Sequence, residues 1–216
     1  YSLVQQVKKR GVYSFCMCPG GFIVPAATAQ EELVVNGMSP SKRNNLYANS
    51  GIVVEINVHQ DIPKYDHFGA LKGLEYQKNL EKLAYTAGGR TQTAPAQRLT
   101  DFVDGKLSNT LNDSSYQPGL KSAPLHSLLP KIIGGRLRTG LKEFGKKMNG
   151  YYTEEANVIG VESRTSSPVS IPRKENLEHT EIEGLYPCGE GGGYAGGIVS
   201  AAMDGERCAE AAIKEY

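Results

Sequence analysis

Three short stretches of the chain gather residue types that can do chemistry. Cys16-Met17-Cys18-Pro19-Gly20-Gly21 sets two thiols one residue apart ahead of a turn. Arg164-Thr165-Ser166-Ser167-Pro168 offers a permanent cation and three hydroxyls, groups that can hold a ligand or a redox partner. Tyr186-Pro187-Cys188-Gly189-Glu190 leads into Gly191, Gly192 and Gly193, then Tyr194-Ala195 and a second pair, Gly196-Gly197, before Ile198.

The third stretch is the densest in glycine. Glycines between a strand and a helix permit left-handed backbone and the close approach of a ligand, and they leave the first amides of the helix unobstructed. The helix dipole adds partial positive charge there, so an anion or a carbonyl edge is stabilised. Gly191, Gly193 and Gly196 fit the spacing GxGxxG, which after a strand marks a dinucleotide pyrophosphate site when a second parallel strand brings an acidic residue about twenty positions later. The sequence reaches Tyr216 before such a strand. The loop is therefore expected to be the closing element of a cofactor site, not its opening.

The thiols divide by context. A Cys-x-Cys pair supplies two of the four ligands of a structural zinc, and no second Cys pair or His pair completes the set, so no metal site is expected. Cys16 and Cys18 either line a cofactor pocket or are small buried residues of a strand. Cys188 stands beside the glycine loop and is a site candidate, whereas Cys208 reads as core. His59, His67, His126 and His179 are scattered without ligand spacing and read as surface or loop residues.

Composition narrows the class. The 216 residues carry 24 Lys+Arg against 23 Asp+Glu, a net charge of +1, which gives no drive toward nucleic acid, a membrane surface or an acidic partner. The tract Lys131 to Lys147 is basic, yet it lacks the aromatic interleaving of a nucleic-acid surface and reads as a solvated helix face. Apolar runs such as Ile23 to Ala29 are too short to span a bilayer, no signal peptide opens the chain, and its first residue is not Met. Four cysteines in a chain of this length do not make a disulfide scaffold, so a reducing, cytoplasmic setting is expected.

The elements that must position these groups follow from periodicity. The opening residues alternate like a strand, and Val12–Met17, Phe22–Pro25, Glu32–Val35 before an Asn36-Gly37 turn, and Gly51–Val58 read as further strands. Tyr76, Leu80, Leu83, Ala84 and Ala87 share a helix face that Gly88-Gly89 ends. Arg98 to Gly105 has no clear period, and a loop rich in Ser, Asn and Pro covers 106–124. Two short helices broken at Gly134-Gly135 follow, then strands at Asn157–Glu162 and Gly184–Cys188. A last helix begins at Ile198, and its small-residue face, with Ala201, Gly205 and Cys208, is suited to close packing on a sheet. These readings give an α+β class in three regions: a β-rich layer over 1–65, a helical insertion over 66–150, and returning strands with a closing strand-loop-helix over 151–216.

Taken in order, YSFCMCPGG at Tyr13 to Gly21, VESRTSSPV at Val161 to Val169 and GLYPCGEGGGYAGGI at Gly184 to Ile198 resemble the bacterial FAD-dependent dehydrogenases known as NAD(FAD)-utilising dehydrogenases. NGMSPSKRNN followed by ANSGIVVEI, and LEYQKNLEKLAYTAGG followed by APAQRL, extend the resemblance along nearly the whole chain.

The resemblance implies a partial two-dinucleotide-type flavoprotein fold that lacks the N-terminal βαβ unit for the ADP half of FAD. It places Gly189 and Glu190 near the pyrophosphate and ribitol, with Glu190 where many flavoproteins have Asp. Gly191 belongs to the same cofactor loop, and the turn Tyr194, Ala195, Gly196, Gly197 and Ile198 aims its amides at the flavin ring, favouring the anionic reduced flavin. Cys18, Pro19, Gly20 and Gly21, with Arg164, Thr165 and Ser166, line the ring. The implied parent is an FAD-dependent oxidoreductase exchanging hydride through flavin N5 with NAD(P)H or a small molecule, with no catalytic acid or base named. The 216 residues alone are expected to bind FAD weakly or not at all and not to turn over. Two rivals stand beside this reading: a binding domain of an RNA-modifying or scaffold flavoprotein that uses the basic helix, and an interaction domain whose glycine loop is a relic.

Overall fold

The computed structural model describes residues 3–215 and divides into two compact units, one running to Asp61 and resuming over Lys78–Ser163, the other Ile62–Gln77 with the chain from Arg164.

Unit one is built on a three-stranded antiparallel sheet, β1 (Val4–Val7), β2 (Arg10–Cys18) and β5 (Asn49–Val54), in the order β1-β2-β5. β1 and β2 pair from Val4 with Tyr13 to Val7 with Arg10, which leaves Lys8 and Lys9 as a two-residue hairpin turn. Both lie at positive φ, 50° and 63°, as the turn that matches strand twist requires. β3 (Phe22–Pro25) pairs antiparallel with β4 (Val35–Met38), so Asn36 and Gly37 lie inside the ladder opposite Val24 and Ile23, not in the expected turn, and the strand begins where Glu32–Val35 was expected to end. The Ala26 amide donates to the Val34 carbonyl at 2.8 Å in the same register, so pairing reaches one residue back into the expected run.

The basic tract forms α4 (Lys131–Lys147), a single helix. The expected break at Gly134-Gly135 falls instead at Leu129-Pro130, because proline lacks the amide that would continue α3 (Leu125–Leu128) and holds Leu129 extended. Arg98 to Gly105 resolves into the end of β6 (Ala94–Arg98) and the helix α2 (Leu99–Asp104), closed by Gly105 in the left-handed region. β6 pairs in parallel with β7 (Leu120–Ser122) and antiparallel with β8 (Asn157–Ile159). One apolar cluster joins β2, α2, α3 and α4 through Val12, Phe102, Leu125, Leu141 and Phe144.

Helix α1 (Lys72–Ala87) ends at the expected glycines: the amide of Gly88 donates to the Ala84 carbonyl at 2.8 Å, and Gly89 takes φ +99°. In unit two, a 3-10 segment over Pro63–Leu71 leads into the residues of α1 up to Gln77, and the chain from Arg164 is irregular until α5 (Ile198–Glu215). The expected strand Gly184–Cys188 does not form. Pro187 has no amide to donate, and its carbonyl is taken by the Arg173 side chain. Nor is there a sheet in unit two for α5 to pack upon among the described residues. Its buried side chains are Asp204 and Cys208, while Ile198, which opens the expected packed face, is 92% exposed. No described helix is long and apolar enough to cross a membrane.

Two glycines of α4 give a test of this packing. A Cβ on Gly140 would sit 2.6 Å from Val12 Cγ1, whereas nothing lies within 4 Å of a Cβ on Gly135. Gly135→Ala is expected to stabilise the chain by about 0.5–1 kcal/mol through helix propensity. Gly140→Ala is expected to destabilise it by about 1 kcal/mol once overpacking against the stiff valine exceeds the same propensity gain. Urea titration of both variants reads the two signs.

Candidate functional site

The glycine loop of unit two is held from below by one ion pair. Arg173 Nη2 donates to Asp204 Oδ1 at 2.8 Å and Nη1 to Oδ2 at 3.0 Å, with the two side chains 12% and 9% exposed. Asp204 Oδ2 also accepts the amide of Gly189 at 2.9 Å, which fixes the first residue of the loop to the second turn of α5. The guanidinium lies 3.6 Å over the Tyr194 ring, and Tyr194 hydroxyl donates to the Ile171 carbonyl at 2.6 Å. The Arg173 hydrogen bond and the Gly189 amide hold the Asp204 carboxyl below the ordinary aspartate range.

Within the loop, glycine is needed at some positions by the chain itself and at others not. Gly189 and Gly193 have positive φ, and a Cβ on Gly193 would lie 2.6 Å from the Val169 carbonyl. A Cβ on Gly192 would press on Cys188 backbone. Gly191 and Gly196 have ordinary φ and nothing within 4 Å of an added Cβ, and Gly197 meets only Ser200 Oγ at 3.8 Å. These three make the bare floor of the loop, Gly196 and Gly197 directly ahead of α5 and Gly191 five residues before Gly196. In the hydroxyl stretch, Ser167 Oγ donates to the Val169 carbonyl at 2.7 Å, while Thr165 Oγ1 is buried with no hydrogen-bond partner. Arg164 and Ser166 are exposed.

In unit one, Cys18 is 7% exposed at the end of β2 and Pro19 is exposed. Gly20 and Gly21 have a reason in the fold: a Cβ would lie 2.1 Å from the Arg43 carbonyl at Gly20 and 2.6 Å from the Met38 carbonyl at Gly21. Across the ladder Cys16 faces Gly51 and Cys18 faces Asn49, so both thiols look out over β5 on one side.

That side carries a carboxyl that sequence reasoning missed. Glu162 Oε2 would be 2.2 Å from a Cβ on Gly51, so the glycine makes room for the acid. Burial pushes the Glu162 carboxyl up, and burial with the nearby Glu162 charge pushes the Cys16 thiol up. Asn49 Nδ2 beside Cys18 is buried without a partner. Glu162 directly precedes the Ser-Arg-Thr-Ser-Ser stretch, a lone acid at the end of an apolar run, and that was the available signal. His126 corrects the surface assignment given to the histidines: its Nδ1 lies 2.9 Å from Nε2 of the fully buried Gln97.

The two acids titrate with opposite consequences. Asp204, with its pKa lowered from about 3.8, contributes stability that is present above that value and is lost as pH falls through its folded pKa. Glu162, raised from about 4.5, removes stability as pH rises from that value through its folded pKa. Glu162→Gln is therefore expected to gain on the wild type progressively above pH 4.5, read by thermal melts across pH. Arg173→Ala leaves the Asp204 carboxylate buried and unpaired, and is expected to cost about 3 kcal/mol at neutral pH. A cost no larger than that of an exposed arginine would show that the pair does not organise the loop.

A family model described as FAD-dependent protein, C-terminal domain-like matches residues 1–165, which takes in unit one and the opening of the hydroxyl stretch. An uncharacterized protein of Clostridium beijerinckii is 42% identical over 220 residues; the alignment covers 100% of this chain and 40% of that protein, so the chain spans less than half the length of this curated relative. The extent of the family match, together with that identity, makes the chain a member of the family of FAD-dependent protein C-terminal domains.

Proposed function

We propose that the chain is the C-terminal part of an FAD-dependent oxidoreductase and that its glycine loop is a backbone surface for the flavin. The bare floor at Gly191, Gly196 and Gly197 carries the reading, since the chain itself gives no packing reason to exclude side chains there. FAD supplies hydride transfer when bound, with NAD(P)H or a small organic molecule as the other partner. The residues present fit such a group. The amides ahead of α5 present donors and the positive end of the helix dipole to a carbonyl edge or a phosphate. Asp204 and Arg173 keep the loop in place by bonding its first amide and stacking on Tyr194, so these amides are oriented before a ligand arrives. Thr165 Oγ1 has hydrogen-bonding capacity that no described residue uses. By the same reading, Arg164, Ser166, Glu190, Ala195 and Ile198 of unit two stand near the cofactor.

An interaction role is the second reading, and exposure on α5 favours it: Ile198, Val199, Met203 and Ile213 are 92%, 72%, 50% and 79% exposed. The basic face of α4 speaks less for partner binding, because Arg136 and Arg138 spend hydrogen bonds on the carbonyls of Ile132 and Val103.

Fluorescence titration of FAD and FMN with the full-length protein and with this chain alone tests the proposal. The full-length protein is expected to bind FAD, and Gly196→Val to weaken that binding by at least about tenfold, or roughly 1.4 kcal/mol, without changing the melting temperature. The chain alone is expected to bind both flavins weakly or not at all. Full-length protein that quenches neither flavin, or a valine variant that binds as wild type, would discard the loop as a flavin surface and leave the interaction reading.

A further inference from the structure

The two cysteines of unit two are not the unrelated pair that their separation in sequence suggests. Cys188 is exposed at the mouth of the glycine loop, and Cys208 is buried on α5. The two thiols act on one another electrostatically. Cys208 Sγ also lies 3.9 Å from the Pro187 carbonyl, the group that directly precedes Cys188. Arg173 Nη1 donates to Cys208 Sγ at 3.4 Å, so the buried sulfur sits beside a permanent cation. The groups facing Cys208 are therefore Arg173, Asp204 and Cys188. The guanidinium favours the thiolate, and burial together with Asp204 and Cys188 opposes it.

We propose that Cys188 and Cys208 form a reversible thiol–disulfide couple that fastens the glycine loop to α5 when a low-molecular-weight disulfide oxidises it. The exposed thiol reacts first. Cys188 loses its proton to solvent and its sulfur attacks one sulfur of the small disulfide, releasing one small thiol and leaving a mixed disulfide on Cys188. Cys208 then loses its proton and attacks the Cys188 sulfur, releasing the second small thiol. The two cysteines together give up two electrons and two protons, and the small disulfide is reduced to two thiols. Arg173 stabilises the negative charge that Cys208 develops in the second step, the role its 3.4 Å contact prepares.

The bond would close a ring containing Gly189 to Gly197 and the first turns of α5. In the reduced protein the Asp204 contact to Gly189 ties the first residue of the loop to α5. Oxidation would add a covalent tie at the neighbouring residue, making the floor of the loop more rigid. The couple rests on the four side chains named here and not on the flavin, so it stands or falls apart from the cofactor proposal.

The test uses oxidised glutathione on the chain, followed by alkylation, proteolysis and peptide mass spectrometry under non-reducing conditions. The wild type is expected to give a peptide pair joined through Cys188 and Cys208, lighter by two hydrogen atoms, free of glutathione and restored by dithiothreitol. Cys208→Ser and Cys208→Ala are expected to retain glutathione on Cys188, and Cys188→Ser to leave Cys208 a free thiol. Cleavage within Gly189 to Gly197 is expected to slow by at least about fivefold on oxidation, because local opening is restricted. Stable glutathione on Cys188 of the wild type, an unreacted Cys188, or a joined pair whose loop is cut at the reduced rate would each overturn the proposal.

Discussion

A guanidinium and a carboxylate removed from water must satisfy one another, and in unit two that requirement falls on Arg173 and Asp204. The pair is nearly closed to solvent and its hydrogen bonds are directed, so a shift of either side chain would leave a charge without compensation. Each partner also reaches backbone: Asp204 takes the Gly189 amide, and Arg173 takes the Pro187 carbonyl. A segment with no sheet of its own thereby acquires a fixed path. The glycine run can be rich in conformational freedom because its entrance is set by electrostatics and not by packing.

Unit one solves a different problem by different means. Its order comes from burial, with Val12, Phe102 and Phe144 fully enclosed and a helix glycine allowing α4 to lie close on β2. Glycines recur where polar side chains must be accommodated: Gly51 admits the Glu162 carboxyl and Gly37 the Asn49 amide. The outcome is one side of the β2–β5 pair that carries two thiols and a carboxyl whose charged form burial disfavours. Such a side disfavours a buried charge, whereas the loop ahead of α5 lies at the positive end of a helix dipole. The two units thus present distinct electrostatic surfaces, each held in place by interactions within its own unit.

The family match and the structure bear on different residues. The matched span stops at Thr165, so the statement that this is a domain of an FAD-dependent protein is carried mostly by unit one. The glycine loop lies beyond that span, with open space at Gly191 and Gly196, a fixed entrance at Gly189 and a place ahead of a helix. The relative's identity extends over the entire chain, loop included.

What the sequence determined by itself was the set of local choices with a strong stereochemical cause. Phe22–Pro25 was legible as a strand from its apolar run, Gly88-Gly89 as a helix stop from the need for left-handed backbone, and the start of α5 at Ile198 from the glycines ahead of it. The glycine loop was legible because side-chain absence is visible in the letters. Tertiary structure decided what depends on partners distant in sequence. Asn36-Gly37 joined a ladder because Ile23 and Val24 were there to pair with it, and Gly184–Cys188 formed no strand because no neighbour offered an edge. The buried face of α5 turned on Asp204, a residue whose charge argued for solvent until Arg173, thirty-one positions away, was brought against it. Glu162 and the approach of Cys208 to the Pro187 carbonyl were hidden for the same reason: the pattern of one sequence records periodicity along the chain, whereas burial of a charge or of a thiol is set by which segments fold together.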